Sequence, residues 1–401
     1  KLEVVVISLK KHKIILLSGS AIIEKQPIPI FHQTILNFLS ELSKLILNET
    51  RLTKYNDLKS FAFWCRENNM KNKQSKYDDE YTKKGIGLVL HIPPSNTPMA
   101  AAYSFVFGLL SGNSNIVRIS DPNIDSIKEL IKIINKILKK KKFENIRKNN
   151  SLIYYTKDSS VSEILSGIID ARIVWGSEKT IEYFKGIKTK NHCKDVFFGD
   201  KYSISIIDVK MFFQLSSKKK TIFIQNFYND TFIMDQNACS SPHTIFWLNS
   251  NKKLKDLFWN KLNDHVTKKY DFTKEIQNHK YSRLNKILLK YHFLHETQNL
   301  FRINVFKIKN LTEPISDLRG LAGIFFEYDI NNIKEIKRII NERCQTITYF
   351  GIKKKILTSL INNHDIVGIN RVIPVGQAID MDLIWDGKNL INELSRIIEV
   401  K

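Results

Sequence analysis

From Gly85 onward the chain alternates short apolar runs with amphipathic stretches so regularly that few architectures remain open to it. Strand-like runs over 87–92, 115–119, 151–155, 171–175 and 202–207 are separated by helical patterns over 98–110, 123–140, 161–167 and 178–185. Parallel strands need crossovers, usually helices, so the pattern predicts an α/β fold with a parallel sheet covered on both faces. Ligands then bind at the carboxyl ends of the strands. A second set follows, with strands over 244–248, 321–327 and 345–350, helices over 254–267, 281–291, 333–343 and 353–363, and a closing helix over 389–398. Before Gly85 the spacing predicts a hairpin-like start over 1–20 and helices over 30–47 and 52–68. Residues 69–84 are polar without apolar periodicity, which reads as a boundary or surface loop.

Composition narrows the setting. The 401 residues suffice for two or three domains with their own cores, and 43% hydrophobic content is ordinary for a globular protein. No run approaches the ~18 consecutive apolar residues of a membrane span, and the first residues lack a signal peptide's pattern, so a cytosolic protein is expected. Cys65, Cys193, Cys239 and Cys344 form no C-x-x-C pair. Neither a zinc cage nor a disulfide framework follows, and thiols in a reducing compartment are expected. The formal net charge of +23 invites a nucleic-acid reading. Yet the lysines are spread along the whole chain, and the runs at 139–142, 218–220 and 353–355 read as solvated helix ends or loops. No nucleic-acid partner is expected; anionic ligands such as nucleotides or coenzyme A would find a favourable field.

Four stretches carry chemistry. In Met234-Asp235-Gln236-Asn237-Ala238-Cys239-Ser240-Ser241-Pro242, a cysteine lies between a polar turn and an apolar strand, where a nucleophilic thiol would sit on rigid backbone. The alternative is a buried small hydrophobe. In Pro93-Pro94-Ser95-Asn96-Thr97-Pro98 a strand breaks into a turn, and the Asn96 amide can donate to a developing oxyanion or simply cap the turn. Gly112 feeds a strand ending in Arg118-Ile119-Ser120, where the cation suits a ribose or 2′-phosphate, or a surface ion pair. Trp175-Gly176-Ser177 is a strand, glycine turn and helix start able to offer N–H groups and a hydroxyl to a pyrophosphate. G-x-G-x-x-G is absent.

Together these stretches resemble the aldehyde dehydrogenase superfamily, and within it the long-chain acyl-CoA reductase family, which includes the enzymes that make fatty aldehyde for bacterial luciferase. Pro94-Ser95-Asn96 stands for the superfamily's Pro-Trp-Asn, Arg118-Ile119-Ser120 for Lys-Pro-Ser, and Trp175-Gly176-Ser177 for Thr-Gly-Ser. Gln236 to Pro242 is similar to the reductase form of the nucleophile motif, and Gly376-Gln377-Ala378 to Trp385-Asp386-Gly387 has that family's pattern. The resemblance implies two Rossmann-like lobes: an N-terminal extension (1–84), a dinucleotide-binding domain (85–225), a catalytic domain (226–375) and a C-terminal segment (376–401).

It also implies a reaction. Cys239 attacks an acyl-CoA thioester, Asn96 and the Cys239 N–H hold the oxyanion, coenzyme A leaves, and NADPH, with NADH as the alternative, reduces the acyl-enzyme to the aldehyde. Arg118, Ser120, Gly176 and Ser177 bind the cofactor, Arg118 favouring the 2′-phosphate. Where hydrolytic relatives have Glu-Leu-Gly-Gly-Lys, this chain reads Phe197-Phe198-Gly199-Asp200-Lys201, so Phe197 replaces the glutamate that activates water; Asp195 or Asp200 is the alternative base. An NAD(P)-dependent aldehyde dehydrogenase, an acyl-phosphate reductase and a non-catalytic nucleic-acid-binding module are the competing readings. Implied partners are an acyl-transferring synthetase and further copies of the chain, as a dimer or tetramer.

Overall fold

Leu88–Ile92 is buried at every position, the pattern of a strand covered on both faces. Its neighbours repeat it, and the computed structural model, which describes residues 3–9, 12–52, 54–77, 81–95, 97–157, 160–311, 315–362 and 366–401, assembles them into a doubly wound sheet. The chain divides into two compact units, Lys1–Gly199 with Met381–Lys401, and Asp200–Asp380.

The first unit is built on β1 (Ile15–Gly19), β2 (Leu88–Ile92), β3 (Ser114–Arg118), β4 (Asn150–Tyr154), β5 (Ala171–Trp175) and β6 (Lys194–Phe198), in the order β1-β4-β3-β2-β5-β6. All neighbours are parallel except β1, which runs antiparallel to β4. Alternate residues of one strand serve opposite cores. Val89 packs with helices α1 (Ala100–Leu110) and α2 (Asp125–Leu138), whereas Leu88 and Leu90 pack with α3 (Val161–Ser166) and α4 (Glu178–Gly186). The crossovers after β2 and β5 therefore leave to opposite faces, which puts the topological switch between these two neighbours.

Local pattern misled in three places here. Among the described residues of 69–84, a helix over Glu67–Gln74 buries Met70 and Lys73, and Thr82–Gly85 is a strand, where a surface loop was expected. Lys73 is held by the Asp382 carboxylate, a partner 309 residues away that no local pattern announces. In place of the hairpin expected over 1–20, the described strands pair elsewhere: Glu3–Val6 with Ile22–Lys25, and β1 with the main sheet. The closing helix shrinks to Leu390–Glu393, because Ser395–Ile398 pairs as a strand with Thr82–Gly85.

The second unit carries β7 (Tyr202–Asp208), β8 (Pro242–Leu248), β9 (Leu294–Asn299), β10 (Asn304–Ile308), β11 (Ile324–Asp329), β12 (Cys344–Phe350) and β13 (Arg371–Pro374), in the order β9-β10-β11-β8-β7-β12-β13. Only the β9–β10 pairing is antiparallel. Because β7 is central to this sheet, the units part at Gly199, not at 225, and the last 21 residues, Met381–Lys401, return to the first unit. Helices α5 (Ser217–Phe232), α6 (Lys252–Lys269) and α7 (Lys274–Lys290) follow β7 and β8. The helix expected over 333–343 is a short 3-10 turn, Ile333–Arg338, closed by a capping box between Asn332 and Glu335. No helix among the described residues is long and apolar enough to cross a membrane.

One buried polar network in the first unit gives a pH signature. His91 on β2 lies between the Ser104 hydroxyl, 2.8 Å from Nδ1, and Asn115 Oδ1, 2.9 Å from Nε2. Burial pushes its pKa down to about 4, against the opposing pull of Asn115. The folded state thus holds the neutral ring, and stability present above pH 6.5 is lost as pH falls towards 4, by roughly 3 kcal/mol in all. Unfolding midpoints measured across that window should fall more steeply for the native protein than for His91→Gln; parallel profiles would remove His91 as the cause.

Candidate active site

Three of the stretches singled out by sequence end at the same edge of the first sheet. Arg118 is the last residue of β3, Ser120 lies two residues beyond it, and Gly176 and Ser177 directly follow β5. Asn96, beyond the end of β2, lies outside the described residues. The edge is the carboxyl side of a parallel sheet, beside its switch point, where α/β folds bind ligands. Ser177 caps α4, its hydroxyl accepting from Thr180 N–H at 3.4 Å. Gly176 is needed for close approach: a Cβ there would meet the Thr180 Cβ at 2.8 Å. Trp175 stacks on Phe198 at 4.0 Å, stiffening the turn from below.

Arg118 is prepared from a residue the sequence did not point to. Its guanidinium lies over the Tyr155 ring, 5.1 Å from the centroid, and Tyr155 is fixed by a 2.9 Å hydrogen bond with Ser162. The Arg118 Nε is buried without a hydrogen-bond partner among the described residues. The rest of the guanidinium is half-buried at the strand end, where a cation suits an anionic group.

In the second unit, Cys239 is an exposed thiol at the amino end of β8. Two residues hold its turn. Gln236, buried and in the left-handed region at φ 60°, donates its amide to the carbonyls of Pro242 and Ile324 and accepts from Gly323 N–H at 3.0 Å. Ser203 donates its hydroxyl to the Cys239 carbonyl at 2.6 Å and accepts from Thr346 N–H at 3.2 Å. A left-handed glutamine costs of order 1–3 kcal/mol and persists because these bonds over-determine it. The sequence quoted Gln236 only as part of a motif, and Ser203 gave no signal, since its partners lie 36 and 143 residues away.

His243 is the second residue of β8. It is buried, accepts from Gly320 N–H at Nδ1, and is held well below its usual pKa by burial and then by Arg319 and Arg283. It is therefore neutral and fixes the loop ahead of β11. The three other thiols are suppressed: burial pushes Cys65 and Cys193 up, and Cys344 up to about 12. A thiol-specific disulfide reagent such as Ellman's should accordingly titrate Cys239 first in the native protein, with Cys65 and Cys344 reacting only after unfolding. A fast phase that survives in Cys239→Ser would contradict this.

The acids beside Phe197 are both engaged. Both Asp195 oxygens accept from Arg172, at 2.8 and 2.7 Å, and one Asp200 oxygen accepts from Arg319 and Arg343. Phe197 itself packs against the apolar cluster around Leu88, Leu90 and Val174. No cluster of His, Cys, Asp and Glu among the described residues could hold a metal ion.

This architecture is the aldehyde dehydrogenase fold. The chain superposes on aldehyde dehydrogenase 21 from Physcomitrella patens with a TM-score of 0.65 at 10% identity, covering 91% of this chain and 85% of that one. On 1-pyrroline-5-carboxylate dehydrogenase from Thermus thermophilus the TM-score is 0.66 at 10% identity, with 92% and 81% covered. On betaine aldehyde dehydrogenase from Staphylococcus aureus it is 0.61 at 14% identity, with 91% and 81% covered. The chain belongs to the acyl-CoA reductase (LuxC) family, whose sequence signature matches residues 35–397. No curated protein sequence matches it.

Proposed function

We propose that the chain reduces an acyl-CoA, of the fatty acyl class, to the aldehyde through a thioester on Cys239, with NADPH as reductant. The observation that carries this reading is the exposed Cys239 thiol on a turn locked by Gln236 and Ser203, in a chain of the acyl-CoA reductase family. The Cys239 sulfur attacks the thioester carbonyl, the bond to the coenzyme A sulfur breaks, and the coenzyme leaves as its thiol. Asn96 and the Cys239 N–H are assigned to the oxyanion. The reduced nicotinamide supplies a hydride when bound. The bond between the acyl carbon and the Cys239 sulfur then breaks, freeing the aldehyde and leaving a thiolate that takes a proton from solvent to restore the thiol.

Arg118, Ser120, Gly176 and Ser177 are assigned to the dinucleotide, and the half-buried Arg118 guanidinium at the carboxyl end of its strand supports a phosphate there. Phe197, with the two alternative bases Asp195 and Asp200 both tied to arginines, supports reduction over hydrolysis. The experiment mixes protein, NADPH and acyl-CoAs from C2 to C16, following nicotinamide absorbance and thiol release together. Coupled signals support the reading; thiol release with NADPH untouched, or no signal at all, contradicts it. Arg118→Ser should raise KM for NADPH at least about tenfold and for NADH much less, the loss expected for a charge-assisted phosphate contact. An unchanged NADPH-to-NADH ratio would remove Arg118 from that role.

A further inference from the structure

Cys239 occupies the amino end of β8, and the carboxyl end of the same sheet has been given no task. There β8 and β11 are parallel neighbours whose connections part. Helix α6, after β8, packs on the face carrying Trp247 and Phe325, whereas the 3-10 turn after β11 packs on the face carrying Phe246 and Phe326. That is a second topological switch point, the place where open α/β sheets leave a ligand crevice. A cavity of about 640 Å³ opens at it, within the ~300–1,000 Å³ range of small-molecule sites.

The floor of the cavity is a rigid polar network. Glu327, almost fully buried, accepts from the indoles of Trp247 at 2.9 Å and Trp259 at 3.1 Å, and from Thr297 and Lys255. Asp329 accepts from Lys255 at 2.9 Å, Lys307 at 3.0 Å and Ser250 at 2.6 Å. Asn249, the first residue after β8, is held in the left-handed region at φ 49° and donates to Asp208 at 2.8 Å. Asparagine adopts this conformation readily, and it turns the chain sharply at the crevice edge.

We propose that this crevice binds an uncharged, polyhydroxylated small molecule of the sugar or polyol class. Charge balance argues first: three lysines (252, 255 and 307) face four carboxylates (256, 296, 327 and 329), so the lining offers no field for a phosphate. Donor and acceptor order argues second. Asp256 bonds to Gln298, and Asp329 to Lys307, so each acceptor at the wall stands beside a donor. A hydroxyl both donates and accepts, and vicinal hydroxyls match such pairs. Trp259 is fully buried and presents no face for stacking, which disfavours an aromatic ligand.

The test is calorimetric titration of the full chain with maltose, trehalose, myo-inositol and sorbitol, with glucose 6-phosphate and spermidine as charged counterparts. At least one neutral probe should bind saturably, with Kd raised at least tenfold in Asp256→Ala and in Asn331→Ala, since both residues line the rim of the cavity, and unchanged in Cys239→Ala. Failure of all four neutral probes, tighter binding of either charged probe, or unchanged affinity in both rim variants would overturn the proposal.

Discussion

Cys239→Ala is expected to lower aldehyde formation at least about 10³-fold while leaving the fold intact. The first half follows from the role: removing a covalent nucleophile leaves only binding and oxyanion donors, and the residual rate is then a small remnant. The second follows from position, since the thiol is exposed and the turn is held through the Cys239 carbonyl and through Gln236, none of which the substitution removes. Circular dichroism and the thermal midpoint should be unchanged while NADPH oxidation disappears. A variant that turns over at more than a tenth of the native rate would sink the nucleophile assignment.

Glu327→Ala is expected to destabilise the second unit by about 3–5 kcal/mol, the usual consequence of removing one partner of a buried ion pair. Two indole N–H groups and the buried Lys255 ammonium lose their shared acceptor at once. Glu327→Gln keeps one oxygen acceptor and should fall between the two. Unfolding in urea followed by tryptophan fluorescence reads this once Trp64, Trp175 and Trp385 of the first unit are replaced by Phe, leaving Trp247 and Trp259 to report on the second. A loss below about 1 kcal/mol would mean that solvent replaces the carboxylate and that the crevice floor is not rigid.

Much of this was legible in the chain because the central strands of the first sheet are buried on both faces, so they read as short, mostly apolar runs with glycine or proline near their ends. Gly87, Pro93 and Gly176 punctuate β2 and β5 within a few residues of their observed limits. Elements whose stability comes from remote partners stayed hidden. The helix over Glu67–Gln74 is polar in sequence because its anchor is the Lys73–Asp382 ion pair, and β9 is obscured by His295, Glu296 and Gln298, which face the polar crevice instead of an apolar core. The same contrast holds among the candidate functional residues of each unit. Cys239, Arg118, Gly176 and Ser177 stand in recognisable local motifs, while Ser203 and Tyr155 act through tertiary contacts that no spacing encodes.

The central claim is that the acyl group passes through Cys239, and intact-mass spectrometry tests it most directly. The protein would be incubated with hexadecanoyl-CoA without reductant, weighed, digested and mapped, then treated with NADPH. The account predicts one added acyl mass on the peptide carrying Cys239, labile to hydroxylamine, lost on NADPH addition as hexadecanal appears, and absent from Cys239→Ala. No adduct on the native protein, or an adduct that persists in Cys239→Ala, would contradict it.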